Sequence, residues 1–112
     1  MRDLNNEMQA YEKMRTPSVE KEFAELVQKW RRDTLHWSSA KRSILHPAYQ
    51  RIIGMGPTIL PLLLKELRDR PDHWFCALAS ITGEDPAEGT ATFDEAVAAW
   101  IEWGKRNRLL SS

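Results

Sequence analysis

Residues 56–68 read GPTILPLLLKELR, and this stretch decides the fold. Its apolar side chains recur at intervals of three and four residues, which predicts a helix from Pro57 to about Arg68. The main stripe consists of Ile59, Leu60, Leu63 and Leu67. Leu62 and Leu64 widen this stripe on both sides, so the helix needs apolar neighbours on more than one side. We therefore expect it to be the central helix of the domain.

The residues after this helix predict a second one that folds back against it. Proline at position 71, followed by Asp72, is typical of a helix start because proline needs no N–H there and the acid faces the positive end of the dipole. Gly83 is suited to the residue that ends a helix in the left-handed conformation. The stretch from Gly56 to Gly83 is thus predicted to be a helical hairpin at the centre of the protein.

Three further helices are predicted around the hairpin. Thr16–Pro17 is a typical start for a helix over about 17–36, and Pro47 starts a short helix over 48–53. Thr92 and Glu95 match a capping box at the start of the last helix. We expect residues 38–43 to form a connection. No stretch alternates apolar and polar residues as a strand does. The sequence predicts an all-α protein, a compact bundle of four to five helices around the central hairpin.

The length of 112 residues fits one domain, because two separate cores would each be too small. We predict a single helical domain over residues 16–112. Residues 1–15 are polar except for an apolar stripe of Leu4, Met8 and Tyr11. They are expected to form a flexible segment, or one that becomes ordered on a partner.

The sequence also bears on where the protein acts. Its single cysteine excludes a disulfide within the chain and suits a reducing compartment. The N-terminal residues lack the apolar core of a signal peptide, and the apolar run at 59–64 is too short for a bilayer span. We expect a cytoplasmic protein that does not act at a membrane.

Residues 52–67, which read IIGMGPTILPLLLKEL, resemble one unit of a HEAT repeat. In that family a glycine-rich turn leads into a helix with an early proline and a leucine face, and an antiparallel helix follows. The resemblance covers residues 52–83 and implies recognition of another protein through helix surfaces. There is no second copy of the unit, whereas a repeat array needs about three. The strings at 46–50 and 71–75 also look like segments of small bacterial proteins, which implies no activity.

No combination of residues predicts catalysis, a metal site or a cofactor. His73 and Cys76 are three residues apart on a predicted helix, but zinc sites with so few sulfur ligands are uncommon. We expect Cys76 to pack against a neighbouring helix and His73 to cap its helix or face solvent. Gly54 and Gly56 follow no strand and lack the lysine of a phosphate loop. The protein is expected not to be an enzyme.

The leading hypothesis is a non-enzymatic protein–protein interaction module, plausibly a bacterial accessory or antitoxin-like subunit. It depends on aromatic residues predicted near the edge of the core, where tryptophans serve as interface anchors or as lids over the core. The predicted partner-binding residues are Trp37, His46, Tyr49, Asp72, His73, Trp74 and Trp103. The partner's identity and the oligomeric state stay open.

The alternative hypothesis is nucleic-acid binding through the basic stretch 29–51, which holds six basic residues and one acidic residue. The residues it would use are Arg31, Arg32, Lys41, Arg42 and Arg51. The stretch 82–102, in contrast, holds six acidic residues and no basic one. A zero net charge weakens non-specific binding to nucleic acid, so this function ranks second. The segregation itself also suits a surface that orients a charged partner.

Overall fold

The computed structural model describes the backbone of residues 4–111 and the side chains of residues 19–111. Its six α-helices are α1 (Leu4–Thr34), α2 (Ala40–Ser43), α3 (Pro47–Gly54), α4 (Leu60–Asp69), α5 (Phe75–Thr82) and α6 (Phe93–Arg106). A 3-10 turn, Gly56–Ile59, precedes α4. Within residues 4–111 there is no strand, which confirms the prediction of an all-α bundle.

Helix α1 begins earlier than the sequence predicts. The predicted start at Thr16–Pro17 is wrong, because the helix runs without interruption from Leu4 through Pro17. Pro17 removes one intrahelical hydrogen bond, but the residues before it include the strong helix formers Glu, Met, Gln, Ala and Lys. The predicted stripe of Leu4, Met8 and Tyr11 lies outside the residues whose side chains are described. The proposed partner-dependent ordering of residues 1–15 stays a prediction.

The predicted connection 38–43 contains the short helix α2. Ser39 is its N-cap, and the Ser39 hydroxyl accepts a hydrogen bond from the backbone N–H of Arg42 at 3.2 Å. The prediction of a plain connection is therefore wrong for residues 40–43. A serine before a short polar run is compatible with both a turn and a capped helical turn, so the local sequence does not separate them.

The central helix is delayed by its second proline. Residues from Gly56 to Ile59 form the 3-10 turn, and α4 begins at Leu60 with Pro61 in its first turn, where the missing N–H removes no helical bond. Gly56 has a φ of +74°, a conformation that favours glycine, and it connects α3 to this turn. The leucine face that follows is buried as predicted.

Helix α5 begins later than predicted. Its first residue is Phe75, so the predicted start at Pro71–Asp72 is wrong. The Asp72 carboxylate accepts hydrogen bonds from the Arg31 guanidinium and from the backbone N–H of His73. These contacts hold Asp72 in an irregular loop. The predicted end is correct, since Gly83 is the residue after α5 with a φ of +71°.

The start of α6 confirms most of the predicted capping box. The Thr92 hydroxyl accepts from the backbone N–H of Glu95 at 3.1 Å. The Glu95 carboxylate reaches the N–H of Ala91 at 2.9 Å, one residue before the donor that a standard capping box uses. Acids in its first turn and Lys105 and Arg106 in its last turn complement the helix dipole.

The helices pack in pairs around one apolar core. Helix α1 lies against α3, α5 lies against α3, and α4 lies against α6. Helices α4 and α5 therefore each pack chiefly against a helix outside the predicted hairpin. The largest fully buried side chains are Trp30, Trp74, Trp100, Tyr49, Ile52, Ile59, Leu63, Leu64, Leu67 and Leu78.

Candidate functional site

Two neighbouring clefts open on one side of the protein, where α1 ends and α2 begins. The larger, here named the α1–α2 cleft, has a volume of about 360 Å³. Its lining residues are Trp30, Arg31, Thr34, Leu35, Trp37, Ser38, Ala40, Ser43, Asp72 and His73. The smaller α2–α5 cleft has a volume of about 200 Å³ and is lined by Ala40, Lys41, Ile44, His73, Phe75 and Cys76. Ala40 and His73 line both clefts, so the two are adjacent.

A cluster of three buried aromatic rings supports the larger cleft. The Trp30 ring centroid lies 4.6 Å from that of Trp74 and 5.5 Å from that of Tyr49, and the Tyr49 and Trp74 rings are stacked. The Trp30 indole N–H donates to the carbonyl of Ser43 at 2.8 Å. Because that carbonyl belongs to α2, this bond fixes α2 against α1 on the wall of the cleft.

The Tyr49 hydroxyl connects α3 to the loop before α5. It donates to the carbonyl of His73 at 2.8 Å and accepts from the backbone N–H of Ala77 at 3.0 Å. Burial raises the pKa of the Tyr49 hydroxyl well above its ordinary value, so the group stays neutral and keeps its proton for His73. This pair of bonds sets the position of His73 on the shared wall of the two clefts.

Arg31 fixes the other side of the same loop. Its guanidinium donates to the Asp72 carboxylate at 2.9 Å, to the Glu66 carboxylate at 2.8 Å and to the carbonyl of Arg70 at 3.0 Å. One side chain of α1 thus holds α4 and the α4–α5 loop together. The two carboxylates share the positive charge of Arg31, and the Glu66 carboxylate also lies 3.9 Å from Nε of Arg70, so both acids have a cation within the protein.

His46 and Asp33 join the end of α1 to the start of α3. The Nδ1 atom of His46 accepts from the backbone N–H of Ala48 at 2.9 Å, so this histidine is the N-cap of α3. Because Nδ1 accepts, the ring proton is on Nε2. This atom lies 3.0 Å from the Asp33 carboxylate and donates to it. The bond from His46 lowers the pKa of Asp33 below its ordinary value, against a smaller opposing effect of burial.

Large apolar side chains stand exposed around these clefts. Leu35, on the α1–α2 cleft, is 72% exposed, and Leu45, in the turn before α3, is 70% exposed. Phe93 is 39% exposed and packs its ring 5.3 Å from that of Phe75, on the α2–α5 cleft. Sequence reasoning missed Leu35 and Phe93 as surface residues. For Leu35 a signal was present in the sequence, because it does not fall in the spacing of three and four residues that connects Phe23, Val27, Trp30 and Thr34.

The structure divides the predicted partner-binding residues into two groups. Trp37, Asp72 and His73 line the α1–α2 cleft and are within reach of a ligand. The others, Tyr49, Trp74, His46 and Trp103, are at most 8% exposed. Their side chains already pack in the core or, for His46, cap a helix. Neighbouring helices cover the sides of these residues that the helical periodicity does not assign to the core. A contact surface on this protein therefore retains only the first group.

The five residues predicted to bind nucleic acid make different contacts in the structure and do not form one basic surface. Arg31 is held by two carboxylates, and Arg51 pairs with Glu22 at 3.1 Å. Arg32 pairs with Asp33 at 3.5 Å and is largely exposed. The guanidinium of Arg42 lies over the Trp37 ring at 4.8 Å from its centroid, while Lys41 lines the α2–α5 cleft. Only Lys41 and Arg42 therefore combine exposure, a place beside the clefts and no acidic partner among residues 19–111.

Cys76 and His73 differ in how well the sequence predicted them. Cys76 is exposed, so its predicted burial between helices is wrong: it lines the α2–α5 cleft. His73 faces solvent, which is one of the two placements predicted for it.

Among the side chains of residues 19–111, no group of three or more histidine, cysteine or acidic residues is close enough to hold a metal ion. None of the described helices is both long and apolar enough to span a membrane.

Comparison with models of protein families, with curated proteins and with solved structures finds no match for this chain. The HEAT-like character of residues 52–83 stays a prediction from sequence.

Proposed function

We propose that this protein is a non-enzymatic recognition module that binds another protein at the α1–α2 and α2–α5 clefts. The observation that carries the proposal is the exposure of Leu35 at 72%, beside the half-buried Trp37, on the wall of a cleft of about 360 Å³. An exposed leucine alone is ordinary. A leucine and a tryptophan on one concave surface form the kind of apolar centre at which interface residues contribute most to binding.

The walls of the clefts are rigid enough to present such a centre. The indole of Trp30, the guanidinium of Arg31 and the hydroxyl of Tyr49 each bond to a neighbouring element behind the surface. Fixed walls lower the entropy that binding must overcome. Sites for small apolar anchors are usually formed in advance in this way. The accessory or antitoxin-like role in the cytoplasm belongs to this same proposal.

The test is site-specific photo-crosslinking in the native host, followed by reconstitution. A photoreactive amino acid replaces Leu35 in one variant and Phe93 in a second. The matched control carries it at Gln28, which is exposed on α1 away from the buried Val27. We expect one protein to be crosslinked from positions 35 and 93 and not from position 28.

The crosslinked protein is then purified and its affinity for the wild type is compared with that for Leu35→Ser and Trp37→Ala. We expect each substitution to weaken binding by a factor of about ten or more, the usual effect of removing a central apolar contact. Equal crosslinking at all three positions, or unchanged affinity of both variants, would refute the proposal.

A further inference from the structure

The charged side chains beside the clefts, Arg42 first, indicate the chemistry that a partner needs. Arg42 lies with its guanidinium over the Trp37 ring at 4.8 Å from the centroid. A guanidinium over an aromatic ring is attracted by the ring face and still has N–H groups that can bind a carboxylate. Arg42 is exposed, and no acidic side chain among residues 19–111 pairs with it.

Lys41 adds a second cation on the same surface. It lines the α2–α5 cleft beside the shared wall residue Ala40, and it too has no acidic partner among the side chains that the structure describes. The two cations are consecutive residues of α2. Lys41 and Arg42 thus add positive charge beside clefts whose own charged lining residues, Arg31 and Asp72, are already paired with each other.

The carboxylates of this region are, by contrast, all bound within the protein. Asp72 and Glu66 are held by Arg31, and Asp33 is held by His46. Asp33 is also within 4.0 Å of Lys29. The charge that the surface offers to a ligand is therefore positive, although the chain as a whole has no net charge.

We infer, on the basis of the proposed function, that the partner presents an acidic segment with a large apolar anchor. The anchor, a leucine or an aromatic residue, occupies the α1–α2 cleft against Leu35 and Trp37. A carboxylate of the same segment pairs with the stacked guanidinium of Arg42, and a second acidic residue lies near Lys41. Pairing of a carboxylate with an arginine that is already oriented gives a strong and directional contact.

Two other occupants are less compatible with the surface. A nucleic acid needs several unpaired cations along its backbone, and of the five basic residues predicted for that role only Lys41 and Arg42 have no acidic partner among residues 19–111. The exposed Leu35 gives no advantage to such a ligand. A second copy of this chain offers acids in the stretch 82–102, but docking of that stretch on the clefts joins two different surfaces, which close into a dimer or a ring only if their relative geometry allows it.

The experiment selects ligands without assuming their sequence. A displayed library of random 16-residue peptides is selected against the full chain at about 150 mM salt. The same library is selected against Leu35→Ser, Arg42→Gln and the control Lys21→Gln, whose side chain is exposed on α1. We expect peptides that carry Leu, Phe or Trp flanked by Asp or Glu, from the wild type and the control.

The best peptide is then synthesised with its acids intact and with the acids replaced by their amides. We expect Arg42→Gln to weaken binding of the acidic peptide about 10-fold, and to change binding of the amide peptide less than 2-fold. A selection that yields basic or uncharged peptides would overturn the inference. So would equal losses for both peptides in Arg42→Gln.

Two parallel measurements address the other occupants. Tight binding of a 20-nucleotide oligo-dT that is lost in Arg42→Gln would overturn the inference in favour of nucleic acid. Concentration-dependent assembly of the protein alone, lost in the same variant, would overturn it in favour of a second copy. If crosslinking at Leu35 identifies a partner while the selected peptides are not acidic, the proposed function survives and only the inference fails.

Discussion

The interface between α4 and α6 and the surface around the two clefts use the same kinds of side chain in opposite ways. At the α4–α6 interface, Leu64 and Trp100 are fully buried and Gly104 lets the two helices approach closely. Around the clefts, Leu35 and Phe93 are exposed and Trp37 is only half-buried. The first region is completed by the chain itself. In the second region, hydrogen bonds and ion pairs fix the walls of the clefts, while apolar side chains on the surface stay uncovered, as in a binding surface.

The largest expected effect separates two tryptophans. Trp100 is fully buried and its ring meets that of Trp103 at 5.4 Å, so Trp100→Ala removes a large side chain and leaves a cavity. We expect the free energy of unfolding to fall by about 3–5 kcal/mol. The matched substitution Trp37→Ala is expected to lower it by less than about 1 kcal/mol. Urea unfolding followed by far-UV circular dichroism measures both, and similar losses would remove the contrast between the regions.

A smaller loss is expected where a polar group holds the clefts in place. Arg31→Gln removes the cation of Asp72 and leaves Glu66 only the longer contact to Arg70 at 3.9 Å, and both acids are partly shielded from water. We expect a loss of about 1–2 kcal/mol, less than for a fully buried pair because solvent screens these groups. The control is Arg68→Gln, whose exposed pair with Asp69 is expected to contribute at most about 0.5 kcal/mol. Equal unfolding midpoints for the two variants would contradict this account.

The third prediction concerns two glycines that respond oppositely to the same substitution. A Cβ atom at Gly104 would lie 2.9 Å from Cδ1 of Leu64 and 3.1 Å from Cδ1 of Leu110. Leu64 is fully buried and cannot move away freely, so we expect Gly104→Ala to destabilise the protein by about 1 kcal/mol. Gly54, at the end of α3, has nothing within 4 Å, and Gly54→Ala should stabilise by up to about 0.5 kcal/mol. Thermal unfolding of both variants measures the signs, and the same sign for both would refute the close-packing argument.

The smallest expected effect is a pH dependence of stability that comes from Asp33. Because the pKa of Asp33 is lower in the folded protein than in the unfolded chain, its contribution to stability is present at neutral pH. It is lost as the pH falls from about 4, the ordinary value, through the lower folded value. We therefore expect Asp33→Asn to be less stable than wild type at pH 6, with the difference shrinking as the pH falls below about 4. A difference between the two proteins that is constant over this range would contradict the role of the His46 contact.

The sequence predicts most of the elements of this fold and less of its surface. The periodicity of residues 59–67, the threonine cap at Thr92 and the terminating Gly83 predict structure correctly, because each acts through atoms a few residues away. The start at Pro71–Asp72 is wrong because Asp72 is used by Arg31, 41 positions earlier in the chain. No local pattern carries that information.

The candidate site shows the same limit more strongly. Tyr49 and Trp74 are predicted as partner-binding residues near the edge of the core, because periodicity assigns only one buried side to each short helix. In the structure they stack on each other and on Trp30, so they are buried from several sides. Conversely, Cys76 and Phe93 are more exposed than the pattern indicates. Which side of a short helix stays open depends on how the helices pair, and that is decided by the whole chain.

The position of Cys76 has a practical consequence for labelling chemistry. It is the one cysteine of the sequence, it is exposed, and it lies on the wall of the α2–α5 cleft. A maleimide dye or a disulfide-tethered fragment therefore attaches to the wild-type chain at a single place, with no thiol to remove and none to introduce. The rate of alkylation at this sulfur reads out directly whether the cleft is covered.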